Sequence, residues 1–235
     1  MRSFTLELDA LACLREGAGG GEVDLTSAAT LAQLAGVDAV RLGVNPERYP
    51  VREEDVRDVR RAARRFELRM VPTESLLKVA LETRPDRVLL AADGPDLLPS
   101  AAPLDLRSVH GLAPILRALT DAGMATSALV APELESVKMA HGEGLTGVEF
   151  YTGRIVDLPQ RERRAEFEKL GDAVRLAAKT RLSIGLVGNL GYRVLRDVLD
   201  AAPAVDHVVV GRAAIARSVL VGLDRALRDL RALLT

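Results

Sequence analysis

The sequence predicts a single (β/α)8 barrel, of the TIM type, on three observations. Short runs rich in β-branched residues alternate with longer amphipathic stretches from end to end. Eight such pairs fit in 235 residues, about the length this barrel needs. No Gly/Ser linker or change in composition divides the chain, so residues 1–235 read as one domain. Strands alternating with helices imply parallel strands joined by crossovers. A doubly wound open sheet is the competing arrangement.

The first strand is expected over 4–8 ("FTLEL"), leading into a long loop, "REGAGGGEVDL" (15–25), and a helix over 26–35. Asp38, after "LAGV", marks the return to a strand at 39–44, followed by a helix over 53–65. The third strand (67–71) runs to Thr73, whose hydroxyl suits the N-cap of a helix over 73–83. The fourth (87–91) opens into a second long loop, 92–112, before a helix over 111–122. After the fifth (126–130), Pro132 and Glu133 open a helix over 133–142. Strands at 147–151, 182–187 and 207–211 alternate with helices over 160–179, 191–201 and 213–233. Both long loops follow strand C-termini, where barrel active sites are built.

Charged residues make up 28% of the chain but nearly cancel, leaving a formal net charge of -1. That excludes the dominant basic face of a general nucleic-acid or anionic-membrane binder. The basic runs at 57–65 and 228–234 have acidic neighbours in helical patterns and read as solvated helix faces. Cys13 is the sole cysteine, so neither an internal disulfide nor a cysteine-rich zinc site is expected. The N-terminus lacks a signal-peptide pattern, and no apolar run approaches the ~20 residues that span a bilayer, so a cytoplasmic protein is expected. No cofactor or metal is implied.

The stretch "HVVVGRAAIARSVL" (207–220) carries the clearest functional hint. A glycine, Gly211, ends a buried strand and a helix starts at once. Helix N-termini offer free amides and a positive dipole end to an anion. A phosphorylated small molecule is therefore the expected ligand.

With the strands placed, the chain resembles the pyridoxine 5'-phosphate synthase (PdxJ) family over its whole length. The resemblance rests on "AGVDAVRL", "VREEDVRDVR", "LRMVPTESLLKVALETRPDRVLL", "GVEFYTG" and "VVVGRAAIARSVLVGLDRAL". It implies a TIM barrel that condenses 1-deoxyxylulose 5-phosphate with 3-amino-2-oxopropyl phosphate, and a homo-oligomer.

The family's chemistry does not carry over residue by residue. Its Asn-x-Asp-His after the first strand becomes Glu7, Leu8, Asp9 and Ala10, so only the aspartate survives. A substrate arginine of the next loop falls at Ala18, while Arg15 matches one less tied to substrate. Gly43 stands where the resemblance expects a catalytic histidine, and only Arg48 matches the basic loop beyond it. The general-base glutamate of the third strand becomes Arg69, which stays protonated at any accessible pH. Glu67 is expected to face the opposite side of that strand and so to be no substitute. Gly-His-Gly after the seventh strand becomes Gly188-Asn189, without a proton donor. Glu-x-His-Thr-Gly becomes Glu149-Phe150-Tyr151-Thr152-Gly153, and Gly-His after the eighth becomes Gly211-Arg212. Ser100 is aligned with a substrate-binding threonine.

Ring closure needs proton transfers by groups whose charge can change near working pH, each typically worth ~10²–10⁴-fold. Gly43, Arg69 and Gly188 cannot supply them. Glu7, Asp9 and Glu149 are the remaining acid–base candidates, with Tyr151 beside them. None of His110, His141 and His207 falls at a strand C-terminus. The expected ligand contacts are Gly188, Asn189, Gly211, Arg212, Thr152 and Gly153. Two structural readings stand beside these: Gly188 and Gly211 serve tight turns, and Arg69 fills the mouth by pairing with Glu7, Asp9 or Glu149. Three functions stay open: a non-synthase barrel binding a phosphorylated molecule in a regulatory or carrier role, a divergent enzyme, and a scaffold.

Overall fold

Residues two apart on a strand share a face, and this period sorts the barrel into an apolar outside and a charged inside. Phe4, Leu6, Val40, Leu42, Phe66, Leu68, Val148, Phe150, Val208 and Val210 join one buried cluster between strands and helices. The residues of opposite parity include Glu7, Arg41, Glu67, Arg69, Arg87, Glu149 and His207, and their ion pairs meet inside the barrel.

The structure is a computed structural model describing residues 2–94 and 101–234. The barrel strands are β1 (Ser3–Glu7), β2 (Ala39–Val44), β3 (Phe66–Met70), β4 (Arg87–Leu90), β5 (Ala125–Val130), β6 (Gly147–Tyr151), β7 (Ser183–Val187) and β8 (His207–Val210). They close in the order β1-β8-β7-β6-β5-β4-β3-β2, every pairing parallel. This is the expected (β/α)8 barrel, not the open sheet.

The helices are α1 (Asp9–Gly17), α2 (Leu25–Leu34), α3 (Glu53–Ala62), α4 (Glu74–Thr83), α5 (Leu112–Asp121), α6 (Leu134–Gly142), α7 (Gly153–Asp157), α8 (Arg163–Lys179), α9 (Leu195–Ala201), α10 (Arg212–Val221) and α11 (Leu223–Arg231). Five departures from expectation matter. The loop after β1 begins with the unforeseen α1. The helix expected over 213–233 breaks at Gly222, whose φ of 81° with ψ of 155° only glycine adopts readily. The helix expected from 160 starts with a 3₁₀ turn at Gln160–Glu162, and α9 begins four residues later than expected. The long loop after β4 carries a small antiparallel hairpin, Ala92–Asp93 with Ala101–Ala102. Ser100 lies outside the described residues.

One local device recurs where strands begin. Asp38, Asp86 and Asp206, each just before a strand, accept the amides of Phe4 (2.7 Å), Phe66 (2.8 Å) and Ile184 (2.8 Å) on the neighbouring strand. Thr146 does the same for Thr126 at 2.9 Å. These bonds fix the register of adjacent strands at the N-terminal end. Among the described residues, no helix is long and apolar enough to cross a membrane.

Candidate functional site

Register brings opposite charges side by side across four strands. Glu7 pairs with Arg41, Arg41 with Glu67, and Glu67 with Arg87, as direct neighbours on β1, β2, β3 and β4. All point inward. The interior then divides into a floor and a mouth.

The floor centres on Arg41, which is fully buried. Its Nη1 and Nη2 donate to Glu149 at 2.7 and 2.5 Å, and its Nε and Nη2 to Glu67 at 3.2 and 2.7 Å. Glu149 Oε1 lies 3.0 Å from His207 Nε2, which in turn lies 2.8 Å from Arg87 Nη1. Burial works against the Glu149 charge, but Arg41 and His207 outweigh it and hold its carboxyl well below the usual range. Arg41 is likewise held above its ordinary value by Glu149 and Glu67, against burial.

Two expectations are corrected here. Glu67 does not face away from Arg69: positions two apart share a face, so it lies inward and one level deeper, committed to Arg41. Glu149, a candidate acid–base group, is fully buried in this network and does not line the cavity above it. His207, at the N-terminal end of β8 as expected, is buried in the same network. A charged residue in mid-strand at an inward position was the available signal for Arg41 and Arg87.

The mouth is built around Arg69. Its Nε donates to Glu7 Oε1 at 3.2 Å, and its Nη2 to Asp9 Oδ2. Asp9 Oδ1 accepts the Gly43 amide at 2.8 Å. A Cβ placed on Gly43 would lie 2.2 Å from Arg69 Nη2 and 2.5 Å from Asp9 Oδ2. The guanidinium thus occupies the space a side chain at Gly43 would need, so a bare position 43 and an arginine at 69 interlock. Burial pushes the Asp9 carboxyl up to about 6, with Arg69 and the Gly43 amide opposing and Glu7 adding to the rise.

Beside this cluster, between the ends of β1, β6, β7 and β8, opens a cavity of about 110 Å³. Its wall includes Glu7, Asp9, Cys13, Tyr151, Gly188 and Gly211. Asn189 and Arg212 also reach it, and Leu129, Val187 and Val209 give it an apolar base. The α10 helix starts at Arg212, immediately after Gly211, so its N-terminus lies at this end of the barrel; the Ala214 and Ile215 amides bond back to the Gly211 carbonyl. Arg212 Nη2 donates to Asn189 Oδ1 at 2.6 Å, and Asn189 Nδ2 to Asp157 at 3.2 Å.

The structure also gives packing reasons for the glycines. Gly188 has φ of 107°, and a Cβ there would lie 2.7 Å from the Tyr151 ring. At Gly211 a Cβ would lie 3.1 Å from the Glu7 carbonyl oxygen and 3.4 Å from Glu7 Oε2. Thr152 and Gly153 are buried and do not line the cavity. The Thr152 hydroxyl donates to the carbonyls of Gly188 (2.6 Å) and Val187 (3.1 Å), tying β6 to β7. Arg15 is bound to Asp55 at 2.5 Å and Arg48 to Glu53 at 3.1 Å, both away from the cavity. Ala18, His110 and His141 are exposed.

Comparison with known proteins agrees with this architecture. The pyridoxine 5'-phosphate synthase of Geobacter metallireducens is 31% identical over 233 residues, covering 98% of this chain and 97% of that protein. The enzyme of the same name from Desulforapulum autotrophicum is 30% identical over 237 residues, covering 100% and 99%. Among solved structures, thiamine phosphate pyrophosphorylase from Pyrococcus furiosus superposes with a TM-score of 0.63 at 18% identity, covering 99% of this chain and 94% of that one. Phosphoribosylanthranilate isomerase from Thermotoga maritima gives 0.63 at 13%, covering 99% and 98%; both show the shared fold. The family model described as pyridoxal phosphate biosynthesis protein PdxJ matches residues 4–235, and the chain belongs to that family.

Proposed function

We propose that this PdxJ-family barrel does not carry out pyridoxine 5'-phosphate synthesis and instead binds a phosphorylated small molecule in the cavity between β1, β6, β7 and β8, in a regulatory or carrier role. The interlock of Gly43, Arg69 and Asp9 carries this reading. The positions that the resemblance assigns to a histidine and a glutamate hold a void and the guanidinium that fills it. Neither group can shuttle a proton, and adding a side chain at 43 requires moving Arg69 out of a buried ion pair. Gly211, Arg212 and Asn189 on the cavity wall favour an anion.

One observation favours the scaffold reading. Glu7 brings its own carboxylate against Gly211 and Arg69, where a ligand's anion would sit. The divergent-enzyme reading rests on Glu7 and Asp9 alone, because Glu149 is committed to the floor.

Two measurements decide among them. Incubation with both family substrates should yield no pyridoxine 5'-phosphate; turnover near that of the curated relatives overturns the loss of synthase activity. A melting-temperature screen across phosphorylated metabolites should reveal a stabiliser, since a ligand at 100 times its Kd adds ~2.7 kcal/mol. A screen with no shift for any compound supports the scaffold.

A further inference from the structure

The floor and the mouth differ in charge balance. In the floor, Arg41 and Arg87 face Glu67 and Glu149, two against two. In the mouth Arg69 faces both Glu7 and Asp9; Glu7 also neighbours Arg41, whereas Asp9, among the described residues, pairs with Arg69 alone. Arginine cannot adjust by losing its proton, and an unmatched charge out of water is costly. Asp9, held by that one guanidinium and buried, is therefore the carboxylate that must take up a proton if Arg69 turns away.

We propose that the Arg69–Asp9 pair is a proton-operated latch: uptake of one proton by Asp9 frees the Arg69 guanidinium to bind a tetrahedral oxyanion in the adjoining cavity. The inference rests on the anion-binding reading of that cavity and names the group that would hold the anion and the condition for it.

The groups around Asp9 determine which carboxyl takes the proton. Arg69 reaches it from β3, Glu7 from β1, the Gly43 amide from β2 and the Cys13 thiol from its own helix. Asp93, on the hairpin, feels the Arg69 charge, as does Arg41 beneath it. Arg212 lines the cavity from α10. Asp9 is only 4% exposed, whereas the Glu7 side chain keeps 20% of its surface in contact with solvent. The deeper carboxyl is the one that burial drives to the neutral form, consistent with its raised titration. Once neutral, Asp9 holds Arg69 without an opposite charge, and an entering oxyanion becomes the stronger partner.

Sulfate is the probe of choice, because it does not titrate in the relevant range. Its Kd, measured by calorimetry, should rise about tenfold per pH unit above about pH 6 in the wild-type protein. Asp9→Asn, which removes the charge and can accept only one of the two bonds from Gly43 and Arg69, should bind sulfate tightly with no such slope. A pH-independent wild-type Kd, or an undiminished slope in Asp9→Asn, overturns the latch and leaves the anion cavity standing. Absence of sulfate binding in both proteins at every pH overturns the latch and counts against that cavity reading as well. Carboxyl-carbon NMR of the wild-type protein needs neither variant nor ligand: an Asp9 midpoint near or below its ordinary value of 3.8 overturns the latch by itself.

Discussion

The floor and the mouth of this barrel hold the same kinds of group and use them in opposite ways. In the floor each guanidinium is matched by carboxylates, and Arg41 satisfies Glu67 and Glu149 at once with no route to solvent. In the mouth one guanidinium serves two carboxylates beside an open cavity. Matched burial makes a rigid plug, since removing any member strands the others. In the mouth the pair lies at the edge of a cavity, and the proposed latch requires that a proton and a side chain there be exchangeable. On that proposal, the level at which a charged pair sits separates structure from binding.

The same substitution on the two levels tests this most strongly. Arg41→Met should cost about 3–5 kcal/mol in chemical denaturation, because two buried carboxylates lose their partner. Arg69→Met should cost less, about 1–3 kcal/mol, since Asp9 can take a proton and Glu7 can turn to the cavity. Equal losses would dissolve the distinction between floor and mouth.

Filling position 43 sharpens the picture of the interlock. Gly43→Ala should destabilise by about 1–3 kcal/mol through displacement of the Arg69–Asp9 pair. In Arg69→Met the same alanine should cost markedly less, giving a coupling readable in a double-mutant cycle. Additive losses would mean that the two positions do not share one space.

Acid titration should separate the levels by sign. Asp9 titrates higher in the folded chain than its ordinary 3.8, at about 6, so its contribution to stability is present below the lower value and is lost as pH rises through the higher one. Glu149 titrates below its ordinary 4.5, so its contribution is present above that value and is lost as pH falls. Between about pH 4 and 6, wild-type stability relative to Asp9→Asn should therefore fall as pH rises. A difference that rises over this range would contradict the burial assigned to Asp9.

The smallest effect is expected at the surface. Arg164 and Glu168 form a bridge at 3.1 Å with both side chains largely exposed. Glu168→Gln should change stability by less than about 0.5 kcal/mol, which sets the baseline for the interior losses.

Most of the barrel was legible in the sequence because alternation and capping are local signals. Thr73 accepts the Leu76 amide as its N-cap position requires, and all eight strands lie within a residue or so of their expected places. Two helices were missed: α7 is only five residues long, and α1 lacks a side-chain cap, its N-cap Leu8 offering no acceptor. The break at Gly222 was hidden because a glycine inside a helical pattern is also tolerated there at modest cost. At the candidate site, pairing of Arg69 with Glu7 and Asp9 was anticipated, whereas the commitment of Glu149 to Arg41 was not. Nothing local to "AVRLGV" or "GVEFY" says which of several inward charges will meet across the barrel.

The sequence by itself determined the strand and helix alternation, the family and the absence of ionisable groups at Gly43 and Gly188, since each depends on residue type and spacing along the chain. Only the tertiary structure decided that Arg69 fills the space at Gly43, that Glu149 belongs to the floor and that Asp9 lies beside an open cavity. These depend on strand register and closure of the sheet, which bring residues from β1, β2, β3 and β6 within hydrogen-bond reach although up to 108 positions separate them in the chain.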